Sequence, residues 1–165
     1  MSPERSEWDA IIIGGGPAGS TTARYAAEGG AAVLVIDGRD PIGSPLQCGE
    51  LVPSNEEMKR LCPDVPDIDD LLRTPEHAIS LRTTQMHLVP PSGKPLRYPF
   101  EGVVLNRVAH DEELVQLARS SGAEYLVGTR VSEIEDNKVT LADGSHYSAK
   151  IIIGAGGHND PLRKS

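Results

Sequence analysis

The chain has 165 residues, with 16 basic against 24 acidic side chains (net charge −8), 38% hydrophobic content and 4% aromatic content. That suffices for one domain of ordinary size, and the acidic balance argues against a nucleic-acid partner held through its phosphates. Cys48 and Cys62 fit no zinc-site spacing and imply a reducing, cytoplasmic setting, while no apolar run nears the roughly 20 residues that cross a bilayer, so membrane contact, if any, is peripheral.

Met1 to Glu7 reads as a frayed polar terminus. Ala10 to Ile13 is a short, mostly β-branched apolar run, the pattern of a parallel strand covered on both faces. Gly14, Gly16 and Gly19 then fit GxGxxG, with Pro17 and Ala18 between them and small helix-tolerant residues following to Ala27. Gly14 allows the tight turn, Gly16 removes the Cβ that would meet a pyrophosphate, and Gly19 lets the helix approach the strand. Pro17 suits a first helical turn, and the amide groups and dipole of that turn attract phosphate. A second strand, Ala32 to Ile36, ends in Asp37, 23 residues after Gly14, where a carboxylate can accept the hydroxyls of an adenosine ribose. Strand, glycine turn, helix and spaced acid together predict a dinucleotide site.

Gly38 to Pro53 is rich in Gly and Pro and predicts a long loop at the carboxyl end of the second strand. Asn55 to Leu61 reads as a short helix capped by Ser54 or Asn55, and Cys62 to Asp70 as a connection. Ala78 to Val89 and Leu96 to Phe100 form a predicted hairpin around Pro91 to Lys94. Gly102 to Arg107 leads into a helix over about Val108 to Ser121, with Asn106 as N-cap and Gly122 as stop. Glu124 to Val127 reads as a third parallel strand. Arg130 to Glu135, Lys138 to Leu141 and His146 to Ala149 read as short antiparallel strands, followed by a separate buried strand at Ile151 running into Gly154 to Gly157. The fold class is therefore α/β: a Rossmann-like parallel sheet, a three-stranded antiparallel meander crossover, and a partial β-rich second layer.

The meander crossover, Ile11 to Asp37, the Pro45-Leu-Gln-Cys48-Gly-Glu50 loop and Val104-Leu-Asn-Arg107 with its helix together resemble the FAD-dependent oxidoreductases of the glutathione-reductase superfamily. Within it the resemblance is to the aromatic-hydroxylase branch and, more closely, to the geranylgeranyl reductases. It implies a Rossmann-like FAD-binding domain with FAD as cofactor. Gly14, Gly16 and Gly19 would hold the pyrophosphate, Asp37 the ribose and Arg39 the adenosine end. Arg107 would contact FAD, Val131 would meet the adenine through its backbone, and Pro17, Ala18, Gly38, Cys48, Gly49 and Gly156 complete the candidate cofactor residues. Cys48 would sit in the flavin pocket as the catalytic residue beside the reacting alkene.

The implied substrate is an isoprenoid or other lipid, and the implied electron donor is reduced nicotinamide or ferredoxin. The resemblance covers the amino-terminal portion of a family member, so the chain is expected to be a single incomplete FAD-binding domain over 1–165, with 75–101 a hairpin insertion of the substrate layer. Two departures stand out. Gly154-Ala-Gly156-Gly157 replaces the family's Gly-Ala-Asp-Gly, and Asp160 stands where a serine is usual. Two further readings stay open: a flavin monooxygenase, and a non-catalytic nucleotide-binding module completed by self-association or a partner chain, since the strand after residue 153 would leave an exposed edge.

Overall fold

The computed structural model describes residues 7–46 and 48–164. In chain order its elements are β1 (Glu7–Ile13), α1 (Pro17–Glu28), β2 (Val33–Asp37), β3 (Leu51–Pro53), α2 (Asn55–Leu61), α3 (Ile68–Leu71), β4 (Ile79–Leu88), β5 (Leu96–Leu105), α4 (Arg107–Ser120), β6 (Glu124–Val127), β7 (Val131–Glu135), β8 (Lys138–Leu141) and β9 (His146–Gly154), with single 3-10 turns at Glu76–Ala78, Gly157–Asn159 and Pro161–Lys164. They form two compact units, one of Met1–Pro45 with Asp111–Ser165, the other Leu46–His110.

The first unit is built on a six-stranded sheet in the order β6-β2-β1-β9-β8-β7. β1 pairs in parallel with β2 and β9, β2 pairs in parallel with β6, and β7, β8 and β9 run antiparallel as the expected meander. Successive strand residues point to opposite faces, and from Ala10 onward β1 divides accordingly. Trp8, Ile11 and Ile13 join Leu34, Ile36, Val139, Leu141, Tyr147 and Ala149 in one cluster. Ala10 and Ile12 join Val33 and Val35 in the other, with Ala23 and Ala27 of α1 and Ala118 of α4. Alanine at those helix positions lets the helices lie close to the strands. Ile11 and Ile12 are fully buried, each stabilising the fold by about 1.5–3 kcal/mol.

Several details differ from the sequence-based expectation. Glu7 already belongs to β1; the rest of the expected frayed terminus lies outside the described residues. Leu51–Pro53, expected as loop, is a short edge strand beside β5, where the proline that closes it is tolerated. Ile68–Leu71 makes one helical turn within the expected connection. Most consequentially, the last meander strand and the following buried strand are one element, β9, whose first half pairs with β8 and whose second half continues along β1. Lys150 does not interrupt it: side chains alternate outward, and its ammonium pairs with Asp9 at 2.6 Å. Past Ser148 β9 pairs with β1 alone, and Ile151 is 55% exposed.

The second unit carries an antiparallel sheet in the order β3-β5-β4. β5 runs on to Leu105, five residues beyond the expected return strand, because Gly102 to Val104 pair with both β3 and β4 and Leu105 pairs with β4. Ser54 caps α2 by accepting the Glu57 amide at 3.2 Å, and Asn106 accepts the Ala109 amide at 3.2 Å at the start of α4.

Candidate functional site

The sheet register assembles the site. Ile13 lies level with Ile36 on one side and Gly154 on the other. The residues that follow, Gly14, Asp37 and Ala155, therefore leave the sheet side by side at its carboxyl edge, where α/β sheets hold ligands. The backbone holds that edge together: the Gly14 amide donates to the Ile36 carbonyl at 2.8 Å, and the Ala155 amide to the Ile13 carbonyl at 2.7 Å.

The three fingerprint glycines differ in what demands them. Gly14 has φ +107°, and a Cβ there would lie 2.4 Å from the Ala155 carbonyl oxygen. A Cβ on Gly19 would lie 1.8 Å from the Gly14 carbonyl oxygen, inside the backbone that α1 packs against. Both positions are therefore dictated by the protein itself. Gly16 is not: its φ is −68°, open to any residue, and the nearest atom to an added Cβ is Arg39 Nη2 at 3.6 Å. No backbone atom lies within 4 Å of that Cβ, so packing does not require glycine there. Gly16 is also the N-cap of α1, which has no side-chain cap and no acidic residue in its first turn. Pro17 and Ala18 form that turn, whose amide groups and dipole are thus left for an external anion. These residues fit the pyrophosphate of a dinucleotide.

Asp37 is buried at the end of β2. Its Oδ2 accepts the Gly15 amide and Arg39 Nη2, both at 2.7 Å. Its Oδ1 accepts the Arg39 amide at 2.8 Å and Arg39 Nε at 2.9 Å. Burial by itself raises the Asp37 carboxyl, but the side-chain and backbone bonds from Arg39 and the bond from Gly15 outweigh it and hold the carboxyl below its ordinary value. Asp111, buried on α4, adds a second negative field on the Arg39 guanidinium.

The second glycine turn is filled differently. Asp160 is buried, its Oδ2 accepting the Gly156 amide at 2.5 Å and its Oδ1 the Leu162 amide at 2.9 Å. A Cβ on Gly154 would meet the Asp160 carboxylate at 2.7 Å. The residue that replaces the usual serine thus ties down the turn from inside, and the Gly156 amide has a protein partner.

Of the residues expected at the site, Gly14, Gly16, Pro17, Ala18, Gly19, Asp37, Gly38 and Arg39 converge on this edge. An added Cβ on Gly38 would lie 2.8 Å from Cγ of the Arg130 side chain. Val131 begins β7 opposite Leu141. Cys48, exposed, Gly49 and Arg107 belong to the second unit, with Arg107 opening α4. Two features escaped sequence reasoning: the closed Asp37–Arg39 pair and the anchoring Asp160. An arginine two residues after the strand-ending acid, and an aspartate four residues after Gly156, were the available signals. Among the described residues no group of three or more His, Cys, Asp or Glu is placed to hold a metal ion, and no helix is long and apolar enough to cross a membrane.

A parallel sheet whose first strand turns through glycines into an uncapped helix, beside an acid closing the second strand, defines a dinucleotide-binding α/β domain. The chain belongs to the pyridine nucleotide-disulphide oxidoreductase family, whose profile matches residues 8–162. It is 37% identical to an uncharacterized protein in the nifH2 5′ region of Methanosarcina barkeri, the match covering all of this chain and 90% of that protein. It is 34% identical to the digeranylgeranylglycerophospholipid reductase of Picrophilus torridus, over 91% of this chain and 39% of that enzyme. Among solved structures it resembles a geranylgeranyl bacteriochlorophyll reductase-like protein of Thermoplasma acidophilum, with a TM-score of 0.74 and 27% identity, over 89% of this chain and 38% of that one. The chain therefore spans about two fifths of the length of the named reductase it matches.

Proposed function

We propose that this chain is the FAD-binding part of a flavoprotein that reduces isoprenoid double bonds of a lipid. The observation that carries the reading is the space over Gly16 at the uncapped start of α1, which no packing requirement of the protein explains. The similarity to digeranylgeranylglycerophospholipid reductases and the fold shared with a geranylgeranyl reductase-like protein support the substrate class.

In this reading Gly14 to Gly19 and the first turn of α1 bind the pyrophosphate, with Asp37 and Arg39 at the adenosine end. Gly38, Val131 and Gly156 lie at the rim of the nucleotide site, and Gly49 and Arg107 are the remaining cofactor-binding residues of this reading. The flavin, when bound, supplies the hydride for the alkene. Cys48 is the proton donor at the alkene carbon, a role suited to an accessible thiol. Residues 75–101 belong to the substrate layer, and reduced nicotinamide or ferredoxin is the electron donor.

The test begins with FAD titration of the purified chain, followed by flavin fluorescence, beside the variant Gly16→Ser. Serine is a good N-cap and Gly16 has an ordinary φ, so the variant is expected to keep the wild-type denaturation midpoint. Its side chain fills the cradle, and FAD affinity is expected to fall at least tenfold. Equal FAD affinity in the two proteins, or none in the wild type, rejects the reading. For the chemistry, with the chain joined to the carboxyl-terminal portion of the Picrophilus torridus reductase that it resembles, Cys48→Ser is expected to abolish reduction of a digeranylgeranyl lipid by dithionite-reduced FAD.

A further inference from the structure

The four hydrogen bonds on Asp37 use up the acceptor positions that a carboxylate offers, roughly four lone-pair sites on two oxygens. Three of the four come from Arg39. In this arrangement neither hydroxyl of an adenosine ribose finds a free acceptor on Asp37. The arginine fork also reaches across the glycine turn, with Nη2 the atom nearest to an added Cβ at Gly16. It stands in front of the start of α1, a position where the helix dipole disfavours a cation and favours an anion.

From this geometry we propose that Arg39 makes ribose recognition conditional on a neighbouring phosphate: the arginine closes Asp37 to nucleosides and releases it only when an anion at the start of α1 takes the guanidinium. The exchange conserves ion pairs. Before binding, Arg39 pairs with Asp37. Afterwards Arg39 pairs with the pyrophosphate, which is bidentate like the carboxylate it leaves, and Asp37 accepts the ribose hydroxyls while keeping the Gly15 amide. A nucleoside without phosphate offers Arg39 nothing in return, and opening the pair would strand a nearly buried carboxylate against its cation. Arg39 is thus a specificity-determining residue that selects phosphorylated adenosine ligands by charge exchange. This rests on the reading of Gly14 to Arg39 as a dinucleotide site.

The test compares adenosine, ADP and FAD as probes of the wild-type chain and of Arg39→Gln, with binding followed by calorimetry and by the amide signal of Gly15. Wild type is expected to bind ADP at least a hundredfold more tightly than adenosine. In Arg39→Gln adenosine is expected to bind at least fivefold more tightly than to wild type, while ADP gains nothing or weakens, so that the preference for ADP shrinks at least tenfold. A second readout is the Arg39 Nε–H signal, expected to be slow to exchange in the free chain and to shift with ADP but not with adenosine. If Arg39→Gln does not fold, Arg39→Lys, which keeps the charge and loses the fork, is expected to shrink the preference by a smaller factor. Adenosine binding that is unchanged or weaker in the folded variant overturns the proposal while leaving the site intact. Wild-type chain that binds neither ADP nor FAD overturns the site itself, and the proposal with it.

Discussion

The first unit contains two glycine turns, Gly14 to Gly19 after β1 and Gly154 to Gly157 after β9, which follow adjacent parallel strands and leave the same sheet edge. In sequence they look alike: an isoleucine run ending in glycines. In the structure they are opposites. The first keeps an open space over Gly16 and an uncapped helix start. The second is filled by the carboxylate of Asp160, which holds the Gly156 amide and occupies the place of a Gly154 side chain. Glycine after a buried strand therefore signals close approach, but not whether the approaching group is a ligand or the protein itself.

The sharpest way to break this comparison is Gly19→Ala. The added Cβ would fall 1.8 Å from a backbone oxygen that cannot turn aside, and the variant is expected to lose at least about 3 kcal/mol in urea denaturation. Next in size is Asp160→Ala, which strips two part-buried amides of their acceptor and is expected to cost about 1 kcal/mol. Gly154→Ala acts on the same contact, so the double variant Gly154→Ala with Asp160→Ala is expected to cost less than the sum of the two. Additive costs in that cycle would show that Asp160 does not fill the turn.

A smaller effect sets the first turn apart by pH. The folded Asp37 carboxyl is held below its ordinary value, so its pairing adds stability above the unfolded pKa, near 4, and loses it as pH falls through the folded value. Wild type is expected to lose more stability than Asp37→Asn between pH 5 and pH 2, read from urea midpoints at each pH. The smallest expected stability change is that of Gly16→Ser, within about 0.5 kcal/mol of wild type. Among these variants it alone is expected to separate FAD binding from folding.

Much of the first unit was legible from local pattern. Ile11 and Ile12 announced a doubly covered strand, Pro17 the start of α1, Asn106 the cap of α4, and Asp37 the end of β2, because each signal is carried by residues within one or two turns of chain. The merging of the last meander strand into β9 was hidden by Lys150, whose charge reads as a break until the pairing with β1 and with Asp9 is known. The second sheet was underestimated for the same reason: the continuation of β5 to Leu105 depends on partners in β3 and β4 some twenty to fifty residues away in the chain.

The sequence alone determined the order of strand, glycine turn, helix and acid, and with it the class of ligand, since those features follow from residue size, backbone freedom and hydrophobic period. Tertiary structure decided which glycines the protein's own backbone demands and which it does not. It also decided that Asp37 begins in the grip of Arg39 and that Asp160 closes the second turn. Those outcomes depend on parallel register, which brings Gly14, Asp37 and Ala155 to one edge, and register is set by strand pairing rather than by any single stretch of chain.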